Sequence, residues 1–261
     1  MLPSVTSSKH IELTTVYEAH DYVGGDLFFM DWRYGGNLLR GFLVDAAGHG
    51  LATARHTSAM HVLLREVNEM DLPLHEAMRW LNVRAVQYFD ESTFAGAIGF
   101  ELDLQTKQLH WCCAGMPKIW LSTQRQRGIV SCPGLYLGIS PEEFFETHAL
   151  PLSVGDSFCF LTDGLTDLID DDEPIKNAGF SEMVEMLQGL AQSPACRDDA
   201  TAICIRIKSL PEPTGRLKGW PRILRFEGYG DYRRLKDEVA TILAEVTGKP
   251  HSMQEVAVNE A

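Results

Sequence analysis

Two rhythms of apolar residues run along the chain. Residues 10–18 place Ile11, Leu13, Thr15 and Tyr17 at alternate positions and predict a first strand. Residues 26–33 and 38–45 are two further apolar runs. Tyr34-Gly35-Gly36-Asn37 separates them, and its paired glycines predict a tight hairpin. Residues 51–67 change to helical spacing, with Met60, Leu63, Leu64 and Val67 on one face. A second helix starts near Pro73, where Leu74, Ala77, Met78, Leu81 and Ala85 repeat. The strand rhythm then returns at 94–102 and 108–114, at 119–123 and 129–132, and at 144–150. Residues 157–162 predict a buried strand, a helical segment begins at about Leu165, 180–190 is helical, and 200–207 is a clean strand. Hairpin-linked strands with two helix groups predict an α+β chain, with two antiparallel sheets packed face to face and helices outside.

The predicted strands end on acids. Asp26 opens one arm of the first hairpin and Asp45 closes the other, so a short loop sets both at one end. The strand at 157–162 runs into Asp163, and Asp198-Asp199 precedes the last strand. A charge at the end of a buried strand is costly unless a cation or hydrogen-bond donors meet it. Asp45 alone reads equally as a cap on the following helix, with Gly48 and Gly50 tightening the turn. Four converging carboxylates would repel one another, and divalent cations would resolve that repulsion. All-oxygen ligands point to magnesium, manganese or calcium rather than zinc.

Composition narrows the field. A chain of 261 residues suits one large domain or a domain with an appendage. The formal charge of −13 and the absence of interleaved basic and aromatic residues argue against nucleic acid. No apolar run approaches the ~18 residues a bilayer requires, and no basic-then-apolar signal opens the chain, which predicts a cytoplasmic protein off the membrane. Cys112, Cys113, Cys132, Cys159, Cys196 and Cys204 form no C-x-x-C pair and read as reduced, buried thiols. His56 and His61 are five residues apart and share no helix face, so they and His75 read as surface or core-edge residues. Trp111 and Trp120 read as core fillers, and Asp170-Asp171-Asp172-Glu173 as a solvated loop.

Four motifs in order carry a resemblance: Gly24-Gly25-Asp26, Val44-Asp45-Ala46-Ala47-Gly48-His49-Gly50, Thr162-Asp163-Gly164 and Asp198-Asp199-Ala200-Thr201. Together they resemble the PPM metal-dependent serine/threonine protein phosphatases, and most closely their SpoIIE/RsbU branch. Ala114-Gly115-Met116-Pro117 and Leu137-Gly138-Ile139 are lesser echoes. The resemblance covers about residues 11–207. It implies a four-layer α-β-β-α sandwich holding two Mn2+ or Mg2+ ions. Asp45 would bridge both ions, with Asp26 and the Ala46 carbonyl completing one site, and Asp163 with Asp198 or Asp199 the other. His49 would be a proton donor to the leaving serine, or else a residue behind the ligands or at the surface. The sequence departs from the family at Val44, Ala46-Ala47 and Met116; a carbonyl ligand tolerates Ala46, and the role of Met116 stays open between substrate contact and packing.

The resemblance divides the chain into a phosphatase domain at 1–208, a linker at 209–219 and a strand-helix-helix segment at 220–261. That last segment resembles the opening of a GHKL-type ATPase of the anti-sigma-factor kinase kind, with Glu260 at the catalytic acid. It reads equally as an amphipathic helix docking on the phosphatase. Both ends of the chain look like cuts in a longer protein. The implied activity is hydrolysis of phosphoserine or phosphothreonine in a protein, a STAS-type anti-sigma-factor antagonist in a bacterial signalling pathway. An upstream sensor or receiver domain and a homodimer are both compatible with the sequence. The alternatives are a catalytically weak regulatory or binding module of the same fold, and a hydrolase of small phosphoesters.

Overall fold

The computed structural model describes residues 8–20, 24–47, 51–90, 93–116, 118–131, 133–169 and 177–212, without the side chains of 51–54 and 131. The chain divides into two compact units, Met1–Pro211 and Glu212–Ala261. Apart from Glu212 the second lies outside the described residues, and with it the expectations for 220–261.

The elements of the first unit are β1 (Ile11–Glu18), β2 (Asp26–Arg33), β3 (Leu38–Ala46), α1 (Leu51–Glu69), α2 (Leu74–Tyr88), β4 (Ala95–Asp103) and β5 (Gln108–Ala114). They continue with β6 (Lys118–Ser122), β7 (Arg127–Ser131), β8 (His148–Pro151), β9 (Ser157–Leu161), α3 (Asp163–Thr166), α4 (Phe180–Ala191) and β10 (Ala200–Ile207). The strands form two five-stranded sheets, ordered β1-β10-β9-β6-β7 and β2-β3-β4-β5-β8. Neighbours within each sheet are antiparallel throughout.

Three apolar layers hold this α-β-β-α stack together. Alternation along each strand sends one set of side chains to each face. Phe28, Met30, Leu43, Ile98 and Phe100 meet Ile119, Phe158, Phe160, Ile203 and Ile205 between the sheets. The other face of the β3 sheet, with Phe42, Val44, Ala97 and Cys112, packs on Met60, Leu64, Met78 and Leu81 of α1 and α2. The outer face of the β10 sheet, with Trp120, Cys159 and Cys204, packs on Leu165 of α3 and Met183 and Leu187 of α4. Cys112 and Cys113 therefore face different layers, as consecutive strand residues must. Trp111 and Trp120 are both buried. The rings of Phe100 and Phe160 stack across the sandwich at 4.3 Å and 7°. Gly41 makes room for that stack, because a β-carbon there would stand 2.2 Å from Phe100 Cζ.

The β2–β3 turn needs left-handed backbone at Tyr34, Gly35 and Gly36 (φ 49°, 67° and 87°), which two glycines supply cheaply. A buried cross-strand pair, Arg40 with Glu101, anchors the α1–α2 connection, since the guanidinium also donates to the Leu72 carbonyl at 2.6 Å.

The structure shortens one expected strand and decides between two readings of a histidine. The strand expected at 144–150 is confined to His148–Pro151. It is an edge strand whose pairing with β5 begins at Trp111↔His148. Upstream of it Phe145 turns into the helix-side core while Phe144 stays 73% exposed. Of the two readings of His56, surface or core edge, the structure gives the second: it is buried against Phe89, ring centroids 5.2 Å apart, with Nε2 3.5 Å from the exposed Asp90 carboxylate. Among the described residues no helix is long and apolar enough to cross a membrane.

Candidate functional site: a carboxylate cluster across two sheets

The β2–β3 register sets Asp26 directly opposite Asp45, and the β3–β4 register sets Asp45 opposite Gly96. Phe28, Leu43 and Ile98, two residues along each strand, lie in the inter-sheet core. Asp26, Asp45 and Gly96 therefore form a row on the inner face, where the sandwich opens. The chain is pinned just beyond, with Ala46 N–H donating to the Gly25 carbonyl at 3.2 Å and Ala47 N–H to the Phe94 carbonyl at 3.0 Å.

The other sheet supplies the remaining acids. β9 ends at Leu161, Thr162 caps α3 in extended backbone (φ −83°, ψ 167°), and Asp163 is the first helical residue. Thr162 is the joint between the sheets. Its hydroxyl donates to Asp26 Oδ2 at 2.9 Å and accepts the Thr201 N–H at 2.9 Å. Its own N–H donates to the Thr201 carbonyl at 3.0 Å. Gly164 presses α3 onto the strand leading into β10, where a β-carbon would stand 2.1 Å from the Asp199 carbonyl oxygen.

Asp198 and Asp199 part company. Asp199 is buried, and both its oxygens accept main-chain donors: Oδ1 from His20 N–H at 2.8 Å and Oδ2 from Gly25 N–H at 2.5 Å. A β-carbon at Gly24 would stand 2.9 Å from this carboxylate, so glycine lets the turn before β2 wrap around it. Asp198 Oδ1 accepts the neighbouring Asp199 N–H, at 2.8 Å.

The charges acting on this cluster are mainly those of the other carboxylates. Burial first, then the Asp163 charge, pushes Asp45 up to about 8. The two neighbouring carboxyls act in opposite directions on each other, Asp163 raising Asp45 and the contact with Asp45 lowering Asp163. Burial and the Asp198 charge raise Asp163. Burial and the Asp45 charge raise Asp26 well above the carboxylate range. The hydroxyls of Thr201 and Thr162 pull Asp26 back, Thr201 from outside regular hydrogen-bond geometry. The Asp26 Oδ1 atom is buried with no hydrogen-bond partner among the described residues. Such a set of mutually repelling oxygen donors suits a hard divalent cation. Among the described residues no three side chains close on one point as a finished ligand shell.

His49, with Gly48 and Gly50, lies outside the described residues, as do Pro117, Cys132 and the acidic run at 170–173. Met116 is buried in the inter-sheet core, which gives it a packing role. Two residues escaped the sequence reading. Thr162 read as an ordinary strand former, although its position before Asp163 hinted at a cap. Tyr17 read as one face of β1, yet it sits opposite Thr201. Burial, then the charges of Asp199 and Asp26, raises its phenol above the usual value.

The fold recurs in solved structures. RsbX in complex with magnesium superposes with a TM-score of 0.64 at 19% identity, covering 78% of this chain and 99% of that one. The phosphatase domain and regulatory fragment of SpoIIE from Bacillus subtilis gives 0.65 at 17% identity, covering 77% of this chain and 64% of that one. The RsbU and RsbW domains of Rv1364c from Mycobacterium tuberculosis give 0.59 at 19% identity, covering 96% of this chain and 76% of that one. No curated protein sequence matches the chain. The family described as "Stage II sporulation protein E (SpoIIE)" matches residues 36–208, a span that runs from the β2–β3 turn past β10 and takes in Asp45, Asp163, Asp198 and Asp199. By that match, over well more than half its length, the chain belongs to the SpoIIE family.

Proposed function

We propose that the chain is a metal-dependent protein phosphatase that hydrolyses phosphoserine or phosphothreonine. The observation that carries this is the cluster of mutually repelling carboxylates at the open end of the sandwich, with Asp26 opposite Asp45 and tied to the facing sheet through Thr162. Asp45 stands between the two sheets' acids and would bridge a pair of Mn2+ or Mg2+ ions. Asp26, with its orphaned Oδ1, and the Ala46 carbonyl would hold one ion. Asp163 and Asp198 would hold the other. The hydrogen bonds of Asp199 support a positioning role for it, fixing the Gly24-Gly25 turn from which Asp26 projects. When bound, such ions supply Lewis acidity to phosphoryl oxygens and lower the pKa of an attacking water. The chain's own residues hold the acids in register, orient Asp26 through Thr162 and close the cluster's floor with the inter-sheet core. His49 is the proposed proton donor to the leaving hydroxyl.

Family membership supports a cytoplasmic signalling role, with a phosphorylated STAS-type antagonist as substrate. A catalytically weak binding module is the second reading, favoured by the lack of a closed ligand shell among the described residues. Turnover of a phosphoserine peptide with Mn2+ separates the two. Activity lost in chelator and in Asp45→Ala supports the enzyme. Activity that persists unchanged in either sinks the metal mechanism, and no turnover at all favours the binding module.

A further inference from the structure

The row Asp26–Asp45–Gly96 does not end at the glycine. Met116 Cε and Sδ, 3.6 Å away, and Tyr136 Cε1, 3.7 Å away, together flank the place where a Gly96 side chain would stand. The Tyr136 ring also lies on Gly115 (φ 67°), where a β-carbon would stand 2.3 Å from its Cδ1. Two hydrogen bonds clamp Leu137 to Ala95, 3.0 Å from Ala95 N–H and 2.8 Å from Leu137 N–H. The buried Asn82 of α2 fixes the same loop from behind, accepting from Gly138 N–H at 2.9 Å and donating to the Ser140 carbonyl at 2.7 Å. Tyr136 packs against Phe94 with ring centroids 4.8 Å apart. Yet the two rings stay 38% and 36% exposed, flanked by the exposed Leu135 and Ile139. Phe94 is also the residue whose carbonyl holds Ala47, two residues beyond Asp45. The fold thus fixes an apolar, aromatic surface rigidly and leaves it open, one strand from the acid at the centre of the cluster.

We propose that Phe94 and Tyr136 form a recognition lip that binds an apolar side chain flanking the phosphorylated residue of the substrate. This rests on the phosphatase reading above. The occupant follows from continuity with the cluster. Neighbouring strands are about 4.8 Å apart, and an extended peptide advances about 3.4 Å per residue. A phosphoserine held at the acids therefore brings the residue one or two positions away onto the lip. Aromatic surface held still in the free protein costs little ordering on binding. Specificity comes from the apolar side chain, because the phosphate is common to every substrate.

The test uses two phosphoserine peptides that differ only in the flanking positions, leucine in one and glycine in the other, with the full chain and Mn2+. The wild type is expected to favour the leucine peptide by roughly tenfold in kcat/KM. In Phe94→Ala/Tyr136→Ala that ratio falls to about one, whereas Tyr136→Phe, which keeps the ring over Gly115, retains it. Equal turnover of both peptides by the wild type, or a preference that survives the double substitution, overturns the lip and leaves the phosphatase reading standing. No turnover of either peptide by the wild type overturns both.

Discussion

Without metal and at pH 8, replacing Asp45 by asparagine is expected to stabilise the protein. The folded chain holds Asp45 at about 8 against an ordinary 3.8, because burial and the Asp163 charge disfavour its carboxylate. A group raised in this way contributes stability that is fully present below the unfolded pKa. The contribution is lost as pH rises through the folded pKa. The window is about four pH units at ~1.4 kcal/mol each, on the order of 5 kcal/mol by pH 8. Asparagine has the same shape, carries no charge, and its amide can still donate to Asp163. With a urea dependence of about 2.5 kcal/mol/M, the substitution raises the midpoint by about 2 M at pH 8 and by far less near pH 4. Urea titrations in EDTA, followed by tryptophan fluorescence at several pH values, read this directly. Wild-type stability that is flat or rising between pH 4 and 8 would refute the reasoning. So would an Asp45→Asn midpoint at or below the wild type at pH 8.

Other expectations follow from the same cluster and its floor. Asp199→Asn has the opposite sign: an amide cannot accept from both His20 and Gly25 main-chain donors, so the metal-free protein loses about 2 kcal/mol, measured by the same titrations. Thr162→Val strands the Thr201 N–H and the Asp26 carboxylate together and costs about 3 kcal/mol, whereas Thr162→Ser keeps most of the stability. Saturating Mn2+ at a hundred times its Kd adds about 2.7 kcal/mol to the wild type and much less to Asp45→Asn, read as a shift in thermal midpoint. Gly41→Ala drives a methyl into the Phe100 ring and costs about 3 kcal/mol, seen as a lower urea midpoint at unchanged slope.

The parts of the site legible in the sequence are those fixed by local rules. Asp26 and Asp45 face each other because a two-glycine turn leaves their hairpin one register, and that turn is written in four adjacent residues. The third and fourth acids were legible as strand ends, since apolar runs stop where the sandwich opens. Pairing across the sheets leaves no such trace. That Asp199 spends both oxygens on a distant turn, while Asp198 does not, depends on a contact between residues some 175 positions apart. Thr162 has the same difficulty: a threonine in an apolar run reads as a strand former, and only the third dimension shows what its hydroxyl reaches. The overlong strand at 144–150 failed because Phe144, Phe145 and Leu150 look alike to a periodicity argument. The structure sends one of those rings to solvent, one to the helix-side core, and keeps only the last residue in a ladder.

Asp26 and Asp45 ride on one sheet, and Asp163 and Asp198 on the other. The gap between them is set by the Thr162 tie to Asp26 and by the thickness of the filling, with Phe100 stacked on Phe160 as its spacer. The cluster behaves like the jaws of a caliper whose opening is adjusted far down the handle. At the proposed metal site, a core substitution that shifts the sheets by a few tenths of an ångström would leave every acid in place in the sequence and still change which cation fits between them. Metal preference would then be a property of the hydrophobic interior as much as of the acids.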